Sequence, residues 1–347
     1  MDLNDSDHLE HREREILEYV IRNFIITANP IASRKLVEKH HLNISSATVR
    51  NVMNSLEKKG YLDHQHTSSG RIPTEKGYRL YVNSLMRISQ LSKSDWAALQ
   101  AWEQTLTPNL NEAVQGATRM LSRLTNLLVV VLTPQFANAI LKKIELIDLS
   151  STRLLIVLTI ESGLAKTVTM EVESGLHPDE LDNIARVLNE RLSGLSLSEI
   201  TKHIDEALAD AREKDKTGLI RIFIDSADDL FEDKQFRRFH FGGVEYIAMQ
   251  PEFNDLNNLK SIIEFVEDDD LIIHLFDGAA RSNEVNVRIG KENKIQQIEH
   301  CSVVSANYAI GNVTGTIGLV GPTRMNYPRL INLIDQFANR FQSHTTS

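Results

Sequence analysis

The apolar positions at the start of the chain follow a helical period, broken once by a short extended stretch. Ile16, Leu17, Val20, Ile21, Phe24 and Ile25 line one side of a helix predicted over Leu9 to Ile26, while Glu10, Arg12, Glu13, Arg14, Glu15, Glu18 and Arg22 face water. Asn29-Pro30 ends it. A second helix is predicted over Ala32 to His40, with Leu36 and Val37 inward and Arg34, Lys35 and Lys39 outward. Leu42-Asn43-Ile44 turns the chain into a third helix, where Val49, Val52, Met53 and Leu56 recur at i, i+3, i+4, i+7. Ser45 supplies its N-cap oxygen. Lys58-Lys59-Gly60 is a helix end: cations at the negative pole of the dipole, then a residue free to take φ > 0. Beyond Gly60 the spacing becomes extended. Tyr61 to His66 reads as a strand, Thr67-Ser68-Ser69-Gly70 as a turn, and Arg71-Ile72 as a returning strand limited by Pro73. Thr74 caps a fourth helix, Glu75 to Ile88, with the apolar stripe Tyr78, Tyr81, Val82, Leu85 and Met86.

The texture then changes. Leu91 to Pro108 is polar and mixed, with Trp96 and Trp102 on a helical spacing, and reads as a bridge between domains. A helix over Leu110 to Thr125 precedes four β-branched runs, Leu127–Leu132, Ala139–Leu149, Arg153–Ile160 and Ala165–Val172, separated by short turns and predicted as one antiparallel meander. Pro178 to Leu192 and Leu197 to Lys214 are helical. Phe231, Phe236, Phe239 and Phe241 cluster before Gly242-Gly243 and a predicted strand, Val244–Met249. Leu256 to Phe276 is helical, interrupted by Glu267-Asp268-Asp269-Asp270. Strands are predicted at Glu284–Ile289, His300–Ala309 and Thr314–Val320, and a closing helix at Tyr327 to Phe341. A helical block between two strand-rich stretches predicts an α+β multidomain chain with an insertion, the strands on either side sharing one sheet.

At 347 residues the chain exceeds what one compact core usually holds. No run of eighteen apolar residues occurs, and the acidic, polar N-terminal stretch has no apolar signal core, so a cytoplasmic protein without membrane contact is expected. Cys301 is the single cysteine, which excludes an intrachain disulfide and a thiolate metal cluster. The net charge of −9 argues against nucleic acid until its distribution is considered. Pro30 to Arg87 holds ten Lys and Arg against four Asp and Glu, leaving 28 against 43 elsewhere. The basic residues therefore concentrate where three helices and a polar hairpin follow one another, the order of a winged helix-turn-helix.

That module carries the candidate chemistry. Opposite its apolar stripe the third helix presents Ser46, Arg50, Asn51 and Asn54. Arg50 suits guanine, because a guanidinium takes O6 and N7 together, and Asn51 or Asn54 suits adenine. Ser45, Ser46 and Thr48 sit at the helix start, where free N–H groups favour phosphate. Arg34 or Lys35 is expected near phosphate, which positions without specifying. Ser68, Ser69 and Gly70 keep the hairpin tip small, Arg71 is the expected tip cation, and His66 is a hairpin-base or phosphate contact. Arg79 is a further phosphate candidate. Such modules also serve protein contacts, but the clustered charge and polar helix face favour DNA.

The remaining motifs favour structural roles. His64 and His66, with His40 and His41 nearby, lack the carboxylate or cysteine set that would complete a metal site. Gly311, Gly315, Gly318 and Gly321 with Arg324 fit neither phosphate-loop spacing and read as turns between strands. Asp268 to Asp270 reads as a solvated helix end. The four phenylalanines read equally as core or partner surface. No paired acid and base or activated nucleophile marks an enzyme, and no cofactor is indicated.

Several stretches match a known signature. SSATVRN, LEKKGYL, HTSSGRIPT and GYRLYV, then IGKEN at Ile289–Asn293, CSVVSANY at Cys301–Tyr308 and GPTRMNYPR at Gly321–Arg329, resemble the HrcA family of heat-inducible transcription repressors over nearly the whole chain. The resemblance implies an N-terminal winged helix-turn-helix (1–90), a GAF-like α/β domain in two parts (91–176 and 283–347) and an inserted dimerisation domain (177–282). It also implies a homodimer that binds double-stranded DNA at an inverted-repeat operator (CIRCE) and represses class I heat-shock operons for the GroE and DnaK chaperones. The GroEL chaperonin would keep it active. The alternative is a regulator gated by a small molecule in the GAF-like domain.

Overall fold

The computed structural model describes residues 9–64, 70–105, 110–133, 139–161, 163, 165–172, 177–231, 239–276, 284–310 and 313–344. The N-terminal part contains α1 (His11–Thr27), α2 (Ser33–His40), α3 (Ser46–Lys58), the short strands β1 (Leu62–Asp63) and β2 (Ile72–Pro73), and α4 (Glu75–Leu80), which continues as one wide turn over Tyr81–Leu85. The predicted stripes are the buried faces. Ile16, Leu17, Val20 and Ile21 of α1 share a core with Leu36 of α2 and with Val49, Met53 and Leu56 of α3. β1 and β2 pair antiparallel, Leu62 opposite Pro73.

The stretch read as a polar bridge is a helix, α5 (Lys93–Glu103). Ser92 caps it, and Asp95 returns a bond to the Ser92 N–H at 3.1 Å. Trp102 is buried against Phe337 and Phe341 at ring distances of 4.5 and 5.4 Å. α6 (Leu110–Thr125) leads into β3 (Leu128–Leu132). Next come β4 (Leu141–Ser150), β5 (Arg153–Ile160), β6 (Ala165–Glu171), α7 (Pro178–Leu192), α8 (Leu197–Lys214), α9 (Leu219–Asp225) and α10 (Ala227–Phe231). The chain continues through β7 (Phe239–Gly242), α11 (Val244–Ala248), α12 (Leu256–Glu267), α13 (Asp269–Phe276), β8 (Asn286–Ile289), β9 (Cys301–Ile310), β10 (Val313–Pro322) and α14 (Tyr327–His344). No described helix is long and apolar enough to cross a membrane.

Strand pairing corrects the predicted layout. The five-stranded antiparallel sheet has the order β7-β3-β10-β9-β8, and β4-β5-β6 form a separate three-stranded sheet. The four-strand meander does not form, because β10 and β7 occupy both edges of β3. The chain therefore leaves the larger sheet after β3 and re-enters at β7. β4 to β6 lie inside this excursion, and β7 closes it. α7 covers β4, and Asn189 fixes the contact by accepting from Ile144 N–H and donating to its carbonyl, both at 2.8 Å.

Val244–Met249, predicted as a strand, contains a helix, since Phe239–Gly242 already fills the place beside β3. Gly243 starts that helix at φ +86°, where an added Cβ would lie 2.2 Å from the Leu127 carbonyl. Of the phenylalanine cluster, Phe231 and Phe239 are core residues of different clusters, Phe241 is half-buried, and Phe236 lies outside the described residues. Asp268 separates α12 from α13 by accepting from the N–H groups of Asp270 and Leu271 at 3.0 and 3.1 Å, so it is a cap.

Gly315, Gly318 and Gly321 are inside β10, not in turns, and Gly311 lies outside the described residues. At Gly318 an added Cβ would lie 2.5 Å from the Phe276 ring, which α13 lays against the strand. Gly318→Val is therefore expected to cost about 1–3 kcal/mol, an overpacking penalty, read as a lower urea midpoint at unchanged slope.

Candidate nucleic-acid interface

Two polar locks hold α3 beyond its buried face. The first is Glu13, a buried carboxylate of α1. It receives Lys59 Nζ at 2.7 and 2.8 Å, Ser55 Oγ at 2.7 Å and its own helix's Glu10 N–H at 3.0 Å. Burial alone would raise its pKa, but the bonds from Lys59, Ser55 and Glu10 outweigh that and hold it below the usual carboxylate value. The second lock joins α3 to both sides of the hairpin. Arg71 donates from Nη2 to Asn54 Oδ1 at 2.9 Å, and its Nε lies 2.7 Å from Glu57 Oε2. His64 Nδ1 is 2.6 Å from the other oxygen of Glu57.

Arg71 is thus not a tip cation. Its guanidinium is engaged with α3, and its backbone exchanges bonds with Ile31 at 3.1 and 3.3 Å. Gly70 has a related role. A Cβ there would meet Pro30 at 2.7 Å, so glycine lets the returning strand run against Pro30-Ile31. Asn54 uses its carbonyl oxygen on Arg71 and is half-buried. Arg79, a further phosphate candidate, is instead paired with Glu292. His66, Ser68 and Ser69 lie outside the described residues.

Other predicted residues remain at the surface. Ser45 caps α3 by accepting from Thr48 N–H at 3.1 Å, and the two hydroxyls are 2.9 Å apart. Arg34 is exposed and pairs with Glu38 one turn on at 3.0 Å. Ser46, Arg50 and Asn51 are exposed on α3. Among the described residues their side chains have no hydrogen-bond or ion-pair partner, so their donors and acceptors are available to a ligand. Pattern reading missed Glu57 and His64 as a clamp. The available signal was Glu57 lying one turn beyond Asn54, with His64 and Arg71 on the two flanks of the hairpin.

Among the described residues no group of three or more His, Cys, Asp or Glu is arranged for a metal. His40 stacks on Tyr19 at 4.1 Å. Cys301 is buried, and burial pushes its thiol up to about 12, far from a reactive thiolate.

The model of the HrcA protein C-terminal domain matches residues 111–331. The heat-inducible transcription repressor HrcA of Chlorobium phaeobacteroides (strain BS1) is 35% identical over 350 residues, covering 98% of this chain and 99% of the relative. The protein of that name from Chlorobium chlorochromatii (strain CaD3) is 36% identical over 346 residues, covering 98% of both chains. A crystal structure titled only as a hypothetical protein, at 2.2 Å resolution, is 26% identical with a TM-score of 0.72, covering 97% of this chain and 99% of that one. By name, these curated relatives are transcription regulators. The chain belongs to the HrcA family of heat-inducible transcription repressors.

The Glu13 lock has a pH signature. Its folded pKa lies below the ordinary 4.5, so its contribution is complete above that value and fades as pH falls through it toward the folded value. Glu13→Gln is expected to lose about 1–2 kcal/mol at pH 7, the range for bonds to a charged group with one partly exposed partner. Urea unfolding at pH 7 and pH 3 checks this: the gap between wild type and variant should narrow at the lower pH.

Proposed function

We propose that this chain is a homodimeric repressor that reads double-stranded DNA through α3 and the adjoining hairpin. The observation that carries this is the exposed, unpartnered set Ser46, Arg50 and Asn51 on a helix whose other face is buried and doubly locked. A rigid helix with free donors can enter a major groove without first breaking internal bonds. In this reading the N-terminal part is a winged helix-turn-helix, the five-stranded sheet with its helices is the GAF-like domain, and the β4–α10 excursion is the dimerising insert. Two-fold symmetry then matches an inverted-repeat operator of the CIRCE type in heat-shock operons for the GroE and DnaK chaperones. Family membership supports that assignment and the further reading that GroEL maintains the active form. Heat would divert the chaperonin and lower the folded fraction, for which a ΔΔG of about 1–2 kcal/mol is enough.

The test is a fluorescence-anisotropy titration of an inverted-repeat duplex from a chaperone-operon promoter against a scrambled duplex, at fixed salt. Wild type should prefer the inverted repeat. Arg50→Ala should lose about 1–3 kcal/mol of that preference while retaining salt-dependent binding to both. Added GroEL should raise the active fraction. Equal affinity of wild type for both duplexes would rule out operator reading.

A further inference from the structure

Three of the signature stretches have no place on the proposed DNA face: GYRLYV from Gly77, IGKEN from Ile289, and GPTRMNYPR from Gly321. In the structure they meet. Arg79 of α4 donates from Nε to Glu292 Oε1 at 2.9 Å and from Nη2 to the same carboxylate's Oε2. Nη2 also donates to the carbonyl of Val287, in β8, at 2.7 Å. Glu292 is oriented before Arg79 arrives, because the N–H of Ile289 donates to its Oε2 at 2.9 Å. Asn293 pins the same turn by donating to the carbonyls of Gly290, Ile298 and Cys301 at 2.9, 3.2 and 2.9 Å. Beside the ion pair, the buried rings of Tyr78 and Tyr327 lie 6.1 Å apart. The Tyr327 hydroxyl bonds to Ser302 Oγ at 2.7 Å and to the Thr323 carbonyl at 2.5 Å.

This seam ties the helix that follows the hairpin to the edge strand of the five-stranded sheet. With the seam closed, Ser46, Arg50 and Asn51 stay exposed. The Arg79 and Glu292 side chains are 30% and 38% exposed, so screening leaves the pair little weight in folding. A forked guanidinium on a pre-oriented carboxylate instead sets distance and angle, which a point charge does not.

We propose that Arg79 and Glu292 are positioning residues that set the orientation of the reading helix relative to the body. They thereby set the separation and rotational phase at which two copies address the halves of an inverted repeat. The inference rests on the operator-binding dimer proposed above. Half-site spacing is a geometric quantity, repeating every ~10–10.5 base pairs. A loosened seam lowers the effective concentration of the second reading helix once the first has bound, without touching either helix's own contacts.

The test uses full-length protein and four duplexes: a single half-site, the inverted repeat with its natural spacer, the same repeat with the spacer lengthened by half a turn (about 5 base pairs), and a scrambled control. Anisotropy titrations compare wild type, Arg79→Ala and the charge exchange Arg79→Glu with Glu292→Arg, with melting temperature as the folding control. Wild type should prefer the natural spacer. Arg79→Ala should melt within a few degrees of wild type and bind the half-site within about twofold. It should bind the natural repeat about tenfold more weakly, with its spacer preference reduced. The charge exchange should recover only part of that loss, because the exchanged pair can neither donate to the Val287 carbonyl from position 79 nor accept the Ile289 N–H at position 292. Unchanged affinity of Arg79→Ala for the natural repeat would overturn the proposal. So would an equal loss on the single half-site, which would make Arg79 a DNA contact or a support of the reading module alone. If wild type does not separate the natural repeat from the scrambled control, operator reading itself fails, and the proposal with it.

Discussion

Strand β3 carries the constraint on which the rest of the body depends. Four of its five residues are buried, and both of its edges are paired. Val129 and Val131 join the core that includes α6 and α14, while Leu128 and Val130 join the core of α12 and α13. β10 takes one edge and β7 the other. Burying each of these side chains stabilises the fold by about 1.5–3 kcal/mol, an upper figure because unfolded chains already hide some apolar surface. A strand so enclosed cannot accept the next strand in sequence. The chain must therefore build a second sheet, cover it with α7, and return through β7.

The polar contacts work on a different scale. Glu13, Glu57 and Glu292 each receive a cation from another element: Lys59, Arg71 and Arg79. Apart from the buried Glu13, these pairs are partly open to water, where an ion pair contributes about 0–1 kcal/mol. Their consequence is angular. Glu57 sets the hairpin against α3, Glu13 sets α3 against α1, and Glu292 sets the module against the sheet. Asp95, buried in α5, repeats the device by receiving Arg329 of α14 at 2.6 and 3.2 Å. Apolar burial decides whether this protein folds, and forked ion pairs decide how its parts face one another. For a protein proposed to match two half-sites, the second property bears directly on function.

Local chemistry was legible in advance. The buried stripe of α3, its Ser45 cap, the bounds of α7 and α8 and the exposed Arg50 and Asn51 all follow from helical periodicity and capping, which act within four or five residues. Sheet membership was not legible, because a β-branched run says that a strand forms without saying which edge is vacant. Val244–Ala248 became a helix once Phe239–Gly242 had taken the place beside β3. Arg71 was misplaced for a similar reason: composition marks a basic residue near a turn, but only the packed hairpin puts Asn54 and Glu57 within its reach. The Arg79–Glu292 pair spans 213 positions, and nothing in either neighbourhood specifies the other. By itself the sequence determined most of the longer helices, their buried faces and the polar surface of α3, since these depend on near neighbours. The tertiary structure alone decided which strands share an edge and which charges meet, since those depend on what the rest of the chain leaves open.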